Sequence, residues 1–364
     1  MTAPTPNPHL LKIVPYIAGE SVIPGFDEPA KLSSNESPLG PAPAAVEAFN
    51  ARATSLHRYP DGPATALREA LADAHDLVPE HIVCSSGSEE LIHLLARSYA
   101  GPGDEVLFSQ YGFLAYRIAA TAAGATPVVA EETNFTADVD ALLAAVSPKT
   151  RIVYLANPNN PTGTFLPAAD IERLRNGLRD DILLVLDAAY SEYVMRDDYE
   201  AGDAYVERGN TVVLRTFSKI HALGGMRIGW CHSSEEIALV LHRIRCVFNV
   251  NLAAQHAAIA AVRSTDHVER SREHNARWLP WLSAGFEDLG LCVSPSLGNF
   301  VLVHFADEAH SQAADELLRA NGIIVRPVAN YGLGQCLRVT VGLEAENRKL
   351  IEVLGTLEPA SLSA

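Results

Sequence analysis

Seven short apolar runs recur along the first two thirds of the chain: "HIVCSS", "EVLFS", "TPVVAE", "RIVYLA", "ILLVLD", "TVVLRTF" and "MRIGWCHS". Each has strand length and lacks the apolar/polar alternation of a strand with one wet face, so it suits a strand covered on both sides. Amphipathic stretches of helical period, such as "SEELIHLLARSYA" and "FLPAADIERLRNGL", separate several of them. The alternation predicts an α/β fold, a mainly parallel seven-stranded sheet flanked by helices, over residues 45–260. A long helix is predicted over about 251–290. The order then changes to "LCVSPS", "NFVLVHF", a helix near "SQAADELLRAN", "IIVRP" and "LRVTVG", which predicts a smaller α+β domain from residues 261–364 with the N-terminal segment 1–44. The Pro-rich start "MTAPTPNPHLLKIVPYIAGE" reads as non-helical in its first residues, and the tail "EPASLSA" is expected to fray.

Composition narrows the function. With 364 residues, 48% hydrophobic and 20% charged, the chain can bury a large core. Its formal net charge of −16 repels phosphate polymers and argues against nucleic-acid or anionic-membrane surfaces. A small phosphorylated molecule stays compatible if positive groups converge locally. Cys84, Cys231, Cys246, Cys292 and Cys336 are odd in number and form no CxxC pair, which fits a reducing cytoplasm better than a disulfide framework or zinc site. The histidines show no HExxH spacing, so no metal is expected; a basic-then-apolar signal and a run of roughly 20 apolar residues are also missing, so neither export nor membrane insertion is expected.

Four predicted strand ends carry unusual residues, and ligands of open α/β sheets gather at the carboxyl ends of strands. In "CSSGSEELIHLL" a strand gives way to a helix through Gly87 and Ser88, a geometry that suits an anion and equally an ordinary capped helix. In "LANPNNPTGTF" two Asn-Pro steps make a rigid turn around Asn160, which suits an amide held towards a ligand. In "ILLVLDAAYSEY" Asp187 ends an apolar run with Tyr190 close behind, and a carboxylate there needs a partner to stay charged; helix capping is the plainer alternative. In "TFSKIHALGGMRIGW" Lys219 follows a strand, and Arg227 lies eight residues on, past Gly224 and Gly225. An amine desolvated beside positive charge has a lowered pKa and becomes a competent nucleophile and proton carrier.

The ordered set "NPNNPTG", "DAAY", "SK" and the arginine, with "LSSNESPLG", "HRYPDG" and "LRVTVG" around it, resembles the fold-type I pyridoxal-phosphate aminotransferases, most closely the histidinol-phosphate aminotransferase family, over nearly the whole chain. The resemblance implies that Lys219 bonds to the aldehyde of pyridoxal 5'-phosphate and, once released, moves the substrate's α-proton. It implies that Asp187 pairs with the pyridinium nitrogen and that Asn160 and Tyr190 bond the ring's phenolate oxygen. Gly87, Ser88, Glu89, Ser218 and Arg227 would hold the phosphate, and Phe113 would stack on the ring. Tyr59 matches a tyrosine reaching in from a partner subunit, so a homodimer with shared sites is implied. Arg338, Asn160 and Asn35 match positions that bind the substrate carboxylate or its equivalent, and Arg326 and Tyr16 match substrate-phosphate positions. Tyr111 and Val247 stand where that family usually has proline.

The expected reaction is transfer of the amino group of histidinol phosphate to 2-oxoglutarate in the cytoplasm, within histidine synthesis. The same framework also resembles phenylalanine and tyrosine aminotransferases, and that alternative stays open. A phospho-amino-acid decarboxylase and a non-catalytic cofactor-binding protein are the remoter readings; the latter lacks any added helix-turn-helix region here.

Overall fold

The computed structural model describes residues 4–15 and 19–357. All seven apolar runs become strands of one sheet: β1 Ile82–Ser85, β2 Glu105–Ser109, β3 Thr126–Ala130, β4 Thr150–Ala156, β5 Leu183–Asp187, β6 Thr211–Thr216 and β7 Gly229–His232. Their spatial order is β1-β7-β6-β5-β4-β2-β3. The pairs from β6 through β3 are parallel, and β7 runs antiparallel to both its neighbours. The continuous apolar character follows from two covered faces. Ile152 and Tyr154 pack with residues of helices Ser88–Tyr99, Leu114–Ala122 and Glu235–Ile244, whereas Val153 and Leu155 pack with those of Val139–Ala144 and Ala168–Gly177.

A second sheet, all antiparallel, has the order β8-β9-β11-β10, with β8 Cys292–Val293, β9 Phe300–His304, β10 Arg326–Val328 and β11 Leu333–Thr340. Its core joins Val301, Val303 and Leu337 to Leu318 and Leu350 of helices Glu308–Ala320 and Glu344–Leu354. The chain start is fastened here as well, because Ala30–Lys31 pairs in parallel with Ile323–Ile324 and Leu32 enters the same core.

The long helix expected over 251–290 is in fact two, Leu252–Arg263 and Thr265–Asp288. Ser264 leaves helical geometry at φ −87° and ψ 60°, and its hydroxyl donates to the Ala260 carbonyl at 2.8 Å, the kind of local side-chain bond that competes with a continuing helix. The break separates two burial duties. Ala254, Ala257 and Ala258 pack beside β1 and β7, while Leu282 and Phe286 serve the core of the second sheet. Among the described residues no helix is long and apolar enough to cross a membrane, and all five cysteines are free.

Candidate active site

Register brings the site together. Ala156 at the end of β4 pairs with Asp187 at the end of β5, and Asp187 pairs with Leu214 of β6. Because β7 runs backwards, its first residue, Gly229, sits between Ser85 and Thr216, the last residues of β1 and β6. The segment leading into β7, with Arg227, therefore arrives at the same edge as the carboxyl ends of the parallel strands. A cavity of about 210 Å³ opens there, walled by residues of both sheets and of the segment 33–35.

Lys219 lies in this cavity with its ammonium group donating to the Ser34 carbonyl at 3.0 Å. Burial pushes its pKa down to about 7, and the Arg338 guanidinium pushes the same way, ahead of Arg227; Glu36 and Asp187 oppose them. The sequence supplied Arg227 as the depressing charge, and the larger contribution comes from Arg338, more than a hundred positions away in the chain. Asp187 is buried and its pKa is raised by desolvation, against hydrogen bonds from Tyr116 and the Ala189 N–H and the charge of Lys219. The Tyr116 hydroxyl donates to Asp187 Oδ2 at 2.9 Å and the Ala189 N–H to Oδ1 at 3.2 Å. A buried carboxylate held this way is prepared for a cationic partner.

The candidate anion cradle is the start of helix Ser88–Tyr99, which carries no side-chain cap. Gly87, its N-cap, has φ +83°, and a Cβ there would come within 2.5 Å of Arg227 Nη2, so only glycine lets the guanidinium lie against this backbone. Arg227 itself has left-handed φ +54° and donates to the Gly224 carbonyl at 3.0 Å. Ser88, Glu89, Ser218 and Arg227 all line the cavity. Gly229 completes the cradle unannounced by the sequence: a Cβ on it would stand 2.3 Å from the Ser88 nitrogen.

Opposite lie Asn160 and Tyr190. The Asn160 carbonyl oxygen accepts from Arg338 Nη1, and the Arg338 Nη2 donates to the Ser33 carbonyl at 2.6 Å. Tyr190 accepts from Asn35 Nδ2 at 2.8 Å and has the Lys219 ammonium 5.7 Å from its ring centre. Phe113, N-cap of helix Leu114–Ala122, also faces the cavity and meets Tyr116 edge-on, with ring centres 6.0 Å apart. Arg326 enters from β10 beside Gly19.

Other sequence-derived positions lie elsewhere. Tyr16 falls outside the described residues. Tyr59 does not line the cavity of its own chain; it is 81% exposed and stacks on Phe248 at 4.5 Å. The backbone N–H that Tyr111 has and a proline lacks donates to Glu132 at 3.1 Å, and its ring stacks on Phe135. Val247 is exposed, and its carbonyl accepts from Arg245. Tyr116 was hidden from sequence reasoning because it reads as a core residue of an amphipathic helix, and its bond to Asp187 spans 71 positions. Among the described residues no group of three or more His, Cys, Asp or Glu is arranged to hold a metal ion.

The donor set suits pyridoxal phosphate part by part. A depressed amine meets an aldehyde, a buried carboxylate a ring nitrogen, two polar side chains a ring oxygen, and a glycine-cleared helix start with an arginine a phosphate.

Comparison with known proteins points the same way. Residues 27–354 match the family model of aminotransferase class I and II. The chain is 55% identical over 357 residues to the histidinol-phosphate aminotransferase of Paramagnetospirillum magneticum, covering 97% of this chain and 98% of that one. It is 52% identical to the enzyme of the same name from Rhodospirillum centenum, covering 98% and 99%. The crystal structure of histidinol-phosphate aminotransferase from Sinorhizobium meliloti, in complex with pyridoxal-5'-phosphate, superposes with a TM-score of 0.88 at 29% identity, covering 99% of this chain and 98% of that one.

Proposed function

The chain belongs to the class I and II aminotransferases, and from that premise we propose that it is a pyridoxal-phosphate-dependent histidinol-phosphate aminotransferase that passes the amino group to 2-oxoglutarate. The observation that carries the reading is one cavity holding a buried amine with pKa about 7, a buried carboxylate and two arginines of the second sheet. The names of relatives at 51–55% identity support the substrate.

Bound pyridoxal phosphate supplies an electron sink that stabilises negative charge at the substrate α-carbon. The protein's part is positioning and proton management. Asp187, desolvated and braced by Tyr116, would keep the ring nitrogen protonated. Asn160 and Tyr190 would bond the ring oxygen, Phe113 would lie against the ring, and the 87–89 turn with Ser218 and Arg227 would hold the phosphate. Lys219 Nζ would take the proton from the substrate α-carbon and give it back, since an amine titrating near 7 both accepts and returns a proton at neutral pH.

Arg326 and Arg338 meet the phosphate of histidinol phosphate or the carboxylate of the acceptor. The planar guanidinium of Arg338, held by Asn160 and the Ser33 carbonyl, has the geometry that suits an oxyanion. The enzyme works as a homodimer in the cytoplasm, with Tyr59 entering the partner's site.

The test is a single half-reaction: cofactor-loaded protein is mixed separately with histidinol phosphate and phenylalanine at matched concentrations, and the bound-cofactor absorbance is followed. Fast conversion by histidinol phosphate alone is expected. Equal or faster conversion by phenylalanine overturns the substrate assignment, and carbon dioxide release from the phenylalanine reaction overturns transamination.

A further inference from the structure

We infer that Asn35 is a positioning residue: with Thr340 it forms a one-way hydrogen-bond chain that presents the Tyr190 phenol to the cavity as a donor. The inference rests on the transaminase reading and concerns a role apart from any contact of Asn35 with substrate.

Asn35 is 1% exposed and held at left-handed φ +54°, a conformation asparagine tolerates well. Its backbone N–H donates to Thr340 Oγ1 at 2.9 Å, and Thr340 Oγ1 donates to Asn35 Oδ1 at 3.2 Å. A backbone N–H has one hydrogen and no acceptor, so the first bond cannot reverse. The Thr340 oxygen receives it, and the threonine's own hydrogen goes to Asn35 Oδ1. With the threonine's hydrogen on Asn35 Oδ1, the amide turns Nδ2 toward Tyr190 at 2.8 Å. An amide nitrogen donates only. The phenol oxygen is thereby made a receiver on the Asn35 side, and its hydrogen is directed away from Asn35. The turn is pinned further by Asn299 Nδ2, which donates to the Asn35 carbonyl at 3.1 Å.

The same strand fixes Asn160. Arg338 lies two residues before Thr340 on β11 and so on the same face. Its guanidinium can only donate, so its bond to Asn160 Oδ1 turns the Asn160 NH₂ the other way. One face of one strand thus sets the polarity of two groups that are each able to donate or accept. Both become donors, which is what a deprotonated ring oxygen requires.

The experiment uses the holoenzyme without substrate and reads the pH midpoint of the bound-cofactor absorbance. A donor to the ring oxygen favours the form that has lost its proton, so Tyr190→Phe is expected to raise the midpoint by about one pH unit. Asn35→Asp keeps the left-handed turn but replaces the donor with an acceptor that draws the phenol hydrogen to itself; it is expected to raise the midpoint to a similar extent. Thr340→Val frees the amide to flip and is expected to raise it less. In the Tyr190→Phe background neither change is expected to add a shift.

An unchanged midpoint in folded Asn35→Asp overturns the inference. So does a shift of full size persisting in the Tyr190→Phe background, which would mark a direct charge effect. Should Asn35→Asp fail to fold, Thr340→Val is judged by the same two criteria. Wild-type conversion of histidinol phosphate, measured on the same preparation, reports separately on the functional reading.

Discussion

At the scale of single residues the decisive quantity is the charge state of Lys219. Its pKa is lowered to about 7 by burial and then by Arg338, so the amine is nucleophilic above that pH and protonated below it. The rate at which cofactor-free protein captures pyridoxal phosphate, followed by absorbance, is expected to rise through about pH 7 and level off, whereas an ordinary lysine titrates near 10.5. Arg338→Met removes the larger of the two depressing charges and is expected to move that midpoint upward; a midpoint that stays in place leaves the depression to burial and Arg227. The residues that could be read in the sequence were those whose type contradicts their setting. A lysine, an aspartate and an asparagine at the ends of apolar runs are costly without a purpose. Tyr116, Gly229 and Thr340 were not legible because each is ordinary where it stands. An aromatic in an amphipathic helix, a glycine opening a strand and a threonine in a β-run acquire their roles only through contacts made across the fold.

Between elements, β7 and helix Ser88–Tyr99 meet too closely for any side chain at Gly229. Gly229→Ala is expected to push the helix start out of place and raise the dissociation constant for pyridoxal phosphate at least about tenfold, ~1.4 kcal/mol, in a titration of cofactor-free protein. Arginine at 227 cannot compensate, since its guanidinium already lies against Gly87. An unchanged affinity would locate the phosphate elsewhere. Strand identity in the large sheet was legible because both faces are covered and the apolar runs are unbroken. The orientation of β7 was not, because "MRIGWCHS" carries no sign of direction; pairing with both β1 and β6 decides it. The break at Ser264 was missed for a related reason. The apolar period continues through it, and only the two separate cores show why the helix stops.

On the scale of the whole molecule, the exposed stack of Tyr59 on Phe248, with Leu56 and Val247 also exposed, is an apolar surface of the kind that marks a partner contact. Under the proposed homodimer, Tyr59 of one subunit serves the site containing Lys219 of the other. Tyr59→Ala and Lys219→Ala homodimers are each expected to lose activity, the second by about 10²–10⁴-fold. Mixing them under subunit exchange restores turnover, because half of the sites in a mixed dimer are wholly wild type. No recovery in demonstrably mixed dimers places Tyr59 outside the partner's site.

The reversed strand β7 has one more consequence, for the order of events during synthesis. The two walls of the proposed phosphate cradle, residues 87–89 and 218–229, come from well-separated segments that meet when Gly229 takes its place between Ser85 and Thr216. A nascent chain that has not yet delivered β7 has the glycine turn and no arginine behind it. If the phosphate is held as proposed, its site would be complete only once β7 has closed the large sheet, and tight cofactor capture is expected to follow that closure.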